Sequence, residues 1–191
     1  MNLELNYEEI ESRLNNWLKE QDKLVIGLDG YSGLGKTTFL KYIVAHDSRV
    51  KPVFMDDYVT TANTREMLIP QIKRNSQSLI LEWSNNTGFQ HIRNLINDFK
   101  NDKQYTILLL DGIFLYHPDI LDDLWDKKIF LDGNVEEADQ RRIKREKERW
   151  GEDYFPEDHP DSYIRLFKIA YNKYLELYRP KEKADLVLMI N

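Results

Sequence analysis

Cysteine is absent from the 191 residues, which excludes disulfides, zinc–thiolate centres and a thiol nucleophile and fits a reducing compartment. No apolar run approaches the roughly 20 residues that a membrane-spanning helix needs. The first residues are acidic and amphipathic, which is not the pattern of a secretory leader. The chain is therefore expected in the cytoplasm. An excess of positive charge is missing too: 27 Lys and Arg stand against 33 Asp and Glu, a net charge of −6. Neither a nucleic acid nor an anionic membrane is an expected partner from that balance. The four histidines, His46, His91, His117 and His159, show no metal-ligand spacing and read as surface residues. Repeats and low-complexity tracts are absent. What is left is 41% hydrophobic and 31% charged residues, the balance of a globular protein, at a length that suits one domain over 1–191.

The most informative stretch runs from Leu24 to Thr38. An apolar run, Leu24–Leu28, enters a glycine-rich turn that ends in Gly35-Lys36-Thr37-Thr38, and a helix-compatible run follows. Gly30, Gly35, Lys36 and Thr37 fit the phosphate-loop pattern G-x-x-x-x-G-K-S/T, with a further glycine at Gly33. Glycines let consecutive backbone N–H groups turn towards phosphate oxygens. The next helix points its positive end at the same anion. Lys36 would add a cation for the β- and γ-phosphates, and Thr37 a hydroxyl for Mg²⁺.

The rest alternates between the two periods. A helix is expected over 7–20, with Asn6 as its N-cap and Ile10, Leu14, Trp17 and Leu18 on one stripe. Strands are expected at Leu24–Leu28, Val50–Met55, Tyr105–Leu110, Lys128–Leu131 and Ala184–Ile190. Helices are expected over Lys36–Ala45, around Ile92–Phe99, briefly near Ile120–Trp125, over 135–149 and over Tyr163–Tyr178. Continuous apolar strands alternating with helices imply an α/β, doubly wound, mainly parallel five-stranded sheet. Ligands bind beyond the carboxyl ends of such strands.

Three strand ends carry acids. Asp56 ends the second strand and is the candidate general base, with its neighbour Asp57 as the alternative. Asp111 ends a run of leucines and is the candidate for Mg²⁺. Asp132 reads as a turn residue. On the charged helix, Arg142, Arg145 and Arg149 are spaced i, i+3, i+7 and share a face. That helix runs into a break rich in Pro, Asp and Glu, Gly151–Pro160, so a closing lid is expected over about 142–161. The competing reading is a solvated helix whose arginines pair with Glu137, Glu146 and Glu148. The tyrosines of Tyr163–Tyr178 read as core.

Taken together, these motifs resemble the uridine kinase family of P-loop kinases, whose neighbours include nicotinamide riboside kinase, phosphoribulokinase and one class of pantothenate kinase. The resemblance is carried by Gly30–Thr38, Met55-Asp56-Asp57-Tyr58, Leu109–Ile113, Lys128–Asp132, Arg142–Arg149 and Tyr174–Val187. It implies an ATP-type donor, Mg²⁺ and transfer of the γ-phosphate to a hydroxyl of a small-molecule acceptor, with a nucleoside such as uridine as first choice. Other metabolites, or an accessory P-loop ATPase role, are the alternatives. It implies that Gly30, Ser32, Gly33, Leu34, Gly35, Lys36, Thr37, Thr38 and Arg149 hold ATP, and that Asp56, Tyr58 and Arg142 meet the acceptor. Asp56, Lys36 and Arg145 would carry the transfer, and Thr37 with Asp111 the metal. A homo-oligomer is left open as the assembly. The family's Asp-His-Pro segment is replaced by Glu82-Trp83-Ser84-Asn85-Asn86, so the acceptor pocket around 56–90 has no sequence match. A guanine-reading N-K-x-D motif is absent.

Overall fold

The computed structural model describes residues 3–58, 87–117, 121–160 and 162–190. Five strands form one sheet: β1 Leu24–Gly30, β2 Val50–Phe54, β3 Ile107–Asp111, β4 Lys127–Gly133 and β5 Leu186–Ile190. Their order is β2-β3-β1-β4-β5, and every pairing is parallel. The helices are α1 Leu3–Trp17, α2 Lys36–His46, α3 Thr87–Phe99, α4 Val135–Trp150 and α5 Tyr163–Tyr178.

The strands are apolar on both sides because helices cover both sides. Leu24, Ile26, Leu28, Ile107 and Leu109 share a core with Ile10 and Leu14 of α1 and Phe39, Leu40 and Ile43 of α2. Val25, Leu108, Leu110 and Phe130 share the opposite core with Ile92 and Phe99 of α3 and Phe167, Tyr171 and Tyr174 of α5. Each such aliphatic side chain, once fully buried, stabilises the fold by about 1.5–3 kcal/mol. This is the doubly wound α/β fold expected from the sequence, and the tyrosines of α5 belong to its core.

Local signals explain where the helices start and stop. Asn134 accepts from the backbone N–H groups of Glu136 and Glu137 at the start of α4. Ser162 does the same for Arg165 in α5, which ends on Arg179 in the left-handed region at φ 46°. α1 differs from expectation: it begins at Leu3, which places Asn6 inside the helix and not at its cap. The apolar cluster near Trp125 gives only a 3₁₀ turn at Asp122–Leu124 among the described residues. His117 is a further correction, since it is buried and packs against the Tyr178 ring at 4.3 Å. Glu82, Trp83 and most of the expected acceptor pocket lie outside the described residues.

Candidate active site

Register brings the acids to the loop. Leu28 of β1 and Phe54 of β2 are both partnered with Asp111 of β3. Asp111 therefore sits between the strand that feeds the phosphate loop and the strand that ends two residues before Asp56. Asp56 follows on a short 3₁₀ turn, Met55–Asp57, and is exposed. A cleft of about 600 Å³ opens there, lined by loop residues, Asp56, Asp57, Asp111 and the arginines of α4.

The loop has the geometry of an anion cradle. Gly33 and Gly35 have φ of 91° and 92°, the left-handed region that favours glycine. Gly35 is the N-cap of α2 and offers no side-chain acceptor, so the helix start faces the cleft without a capping group. Lys36 is 6% exposed and donates to the carbonyls of Gly30 at 2.8 Å and Tyr31 at 3.1 Å. Burial lowers its pKa, against the pull of Asp111, Asp29 and Asp56. Thr37 Oγ1 donates to Asp111 Oδ2 at 2.5 Å. Burial raises the Asp111 pKa, opposed by Lys36 and by that hydroxyl.

A hydroxyl and a carboxylate converging beside the loop are a donor set suited to Mg²⁺, which takes one or two protein oxygens and otherwise water and phosphate. Among the described residues no group of three or more His, Asp or Glu side chains forms a metal cage, so any ion at this edge would depend on phosphate oxygens as well.

α4 packs directly on the loop. A Cβ added to Gly33 would lie 2.5 Å from the Ala138 carbonyl oxygen. Arg141 Nε donates to the Gly33 carbonyl at 2.9 Å, and Arg145 reaches Ser32 Oγ at 3.4 Å. Arg142 is only 1% exposed. Its guanidinium lies 4.0 Å from the Phe167 ring centroid, donates to the Tyr31 hydroxyl at 3.0 Å and stands 3.6 Å from Asp139. Tyr31 in turn donates to Asp139 at 2.7 Å. Lys168 of α5 bridges Asp139 at 2.6 Å and Glu157 at 2.5 Å. Arg142 thus joins loop, α4 and α5.

Of the residues expected at the site, Ser32, Gly33, Gly35, Lys36, Thr37, Thr38, Asp56, Asp111, Arg142 and Arg145 line one cleft. Four stand apart from its lining. Gly30 closes β1, with Leu131 at its back; Leu34 is buried in the core. Tyr58 is exposed beyond the 3₁₀ turn, and Arg149 lies 5.0 Å from the Trp150 ring. Asp132, expected as a turn residue, instead lies inside β4 opposite Met189, where it accepts from the Gly133 N–H and pairs with Lys181. Arg141 and Lys41 also line the cleft without having been expected there, and Asp29 stands directly before the loop. Arg141 has the same residue type and helix as its neighbours. Asp29 has a plainer signal, because it is a fourth acid at a strand end.

A strand, a glycine loop shaped as an anion cradle and a helix start, set at the carboxyl edge of a parallel sheet, define a P-loop nucleotide-binding domain. The NB-ARC domain family model matches residues 7–144, from α1 through the loop into α4. The uridine kinase of Borrelia garinii subsp. bavariensis is 24% identical over 182 residues, covering 86% of this chain and 85% of the relative. That of Streptococcus pneumoniae (strain Hungary19A-6) is 26% identical over 185 residues, covering 86% and 84%. Thymidylate kinase from Candida albicans shares the fold, with a TM-score of 0.51 at 15% identity over 88% of this chain and 84% of that one. The chain belongs to the family that the NB-ARC domain model describes, and it is similar to uridine kinases among the P-loop kinases.

Proposed function

We propose that the chain is an ATP-dependent kinase that transfers the γ-phosphate to a hydroxyl of a small acceptor, with uridine or another nucleoside as the first acceptor. The observation that carries this reading is the single cleft in which the phosphate loop, the Thr37–Asp111 pair and Asp56 face one another beside the arginines of α4. The relatives called uridine kinases support the acceptor class.

In this reading the N–H groups of Gly33 to Thr38 cradle the β- and γ-phosphates, aided by Lys36, with Ser32 at the loop's rim. Gly30 and Leu34 fix the loop's shape from behind. Thr37 and Asp111 hold Mg²⁺, which when bound supplies neutralisation of phosphate charge. Asp56 accepts the proton of the acceptor hydroxyl as its oxygen bonds to the γ-phosphorus, the bond from that phosphorus to the bridging oxygen breaks, and ADP leaves. Arg145 meets the charge of the transferring group. Arg142, buried and bonded to Tyr31, braces the phosphate loop beside the acceptor, Tyr58 stands at the acceptor entrance, and Arg149 joins the nucleotide when the segment of about 142–161 closes as a lid. The enzyme acts in the cytoplasm on a small molecule.

The deciding experiment is ADP release from ATP and Mg²⁺ with a panel of nucleosides, ribosides and sugar phosphates. Stimulation by uridine or cytidine is expected. The match to the NB-ARC domain model favours a second reading, a regulatory P-loop ATPase, and ADP release that no acceptor stimulates would select it.

A metal prediction follows from the Thr37–Asp111 pair. Asp111→Asn keeps the shape and removes the charge, so the Mg²⁺ concentration for half-maximal activity rises about 10- to 100-fold. Titration of ATP binding against Mg²⁺ should show the same displacement without turnover. An unchanged Mg²⁺ requirement would remove Asp111 from the metal site.

A further inference from the structure

One residue before the loop's first glycine stands a carboxylate with no solvent exposure, Asp29, and the transfer chemistry above makes no use of it. Three donors converge on it. The Gly30 N–H reaches Oδ1 at 2.7 Å. The Leu115 N–H and the Tyr174 hydroxyl reach Oδ2 at 3.1 and 2.5 Å. Burial pushes its pKa up to about 6, against the pull of those hydrogen bonds and of Lys36. No cation forms a salt bridge with it among the described residues. A buried carboxylate without an ion-pair partner is costly, so its position calls for a reason.

The reason lies in the backbone of Gly30. Its N–H is held by Asp29 and its carbonyl by Lys36. Lys36 cannot serve the Gly30 and Tyr31 carbonyls and a phosphate equally. When it turns to the anion, the carbonyl side of Gly30 is released and the N–H side still rests on Asp29. Asp29 is in turn fixed to α5 through Tyr174, and to the segment after β3 through Leu115. Tyr116 adds a second tie, giving its own N–H to the Tyr174 oxygen at 3.1 Å.

We infer that Asp29 is a positioning residue for the nucleotide: it keeps the phosphate loop in its anion-binding shape once Lys36 has left the loop carbonyls. The inference rests on the P-loop nucleotide reading and is independent of which acceptor is used.

The test uses the whole chain, with ATP binding titrated directly in the absence of acceptor and initial rates measured alongside. An amide offers one acceptor oxygen where the carboxylate offers two, so Asp29→Asn leaves a backbone N–H facing an NH₂ group. The dissociation constant and KM for ATP are expected to rise about tenfold or more, with the acceptor KM unchanged. A residue that only supports the fold would lower the melting temperature and leave ATP affinity as it was, and that result overturns the inference. Should Asp29→Asn not fold, Tyr174→Phe decides. It removes one donor and keeps both backbone bonds, and about threefold weaker ATP binding is expected; unchanged binding overturns the inference. Wild-type protein that binds ATP but phosphorylates nothing removes the kinase reading and leaves this inference standing. Wild-type protein that binds no nucleotide removes both.

Discussion

Asp56→Asn is expected to lower kcat for phosphate transfer by about 10³-fold, inside the 10²–10⁴ span typical of a positioned general base. ATP binding should stay within about twofold, because the substitution removes a proton acceptor and touches no phosphate contact. The structure makes this test clean. Asp56 is exposed on a 3₁₀ turn at the mouth of the cleft, and among the described residues no strand or helix is bonded to its side chain. Its neighbour provides the comparison. Asp57 is exposed on the same turn and also lines the cleft, and Asp57→Asn should cost less than about tenfold. Reversal of the two effects would move the base to Asp57. If neither variant slows transfer, the hydroxyl is not deprotonated at this strand end and the kinase assignment fails.

The second large effect is structural. Gly33→Ala places a methyl group 2.5 Å from the Ala138 carbonyl oxygen and 2.9 Å from Arg142 Cγ, at a φ of 91°. Neither neighbour can yield cheaply, since one is helix backbone and the other belongs to a buried arginine. Strain and overlap together should cost about 3 kcal/mol or more. For a domain of this size that lowers the melting temperature by roughly 6–12 °C. Gly151→Ala separates the two causes: Gly151 also has positive φ, 54°, but meets nothing within 4 Å. It should lose only about 1 kcal/mol, from backbone strain alone. Equal losses at both positions would mean that α4 does not press on the loop in solution.

The loop, its flanking strand and helix, and the acids Asp56 and Asp111 are legible because their signals are local. Hydrophobic period, glycine spacing and a polar residue at the end of an apolar run all fall within a few positions of one another. α4 and α5 are legible for the same reason. The environment of Arg142 is not. Its spacing relative to Arg145 and Arg149 describes a shared helix face, and nothing in that pattern announces that Phe167 and Tyr31 will enclose the first guanidinium while Arg149 lies against Trp150. The strand-end position of Asp29 is legible, but its partners are hidden by distance along the chain, since two of its three donors lie 86 and 145 residues away. The burial of His117 is not legible either, because burial of a lone histidine depends on which ring packs over it, here Tyr178. The acceptor pocket has neither a sequence match nor a described backbone over 59–86, so the panel of acceptors carries that question.

The contact between α4 and the phosphate loop sets a mechanical limit on the proposed lid closure. Ala138, Arg141 and Arg142 are all fastened to the loop, and the Asp139–Lys168–Glu157 bridge fastens the same turn to α5. A rotation of the whole helix would therefore tear the cradle it is meant to cover. If α4 closes as the proposed lid, the pivot would have to fall beyond Arg142, which would leave a lever of about eight residues, or roughly 12 Å at the helical rise. Arg145 would sit close to that pivot and sweep a short arc, while Arg149 would sit near the tip and sweep a long one. The two arginines would thus arrive at a bound nucleotide in sequence, the inner one already in place and the outer one last.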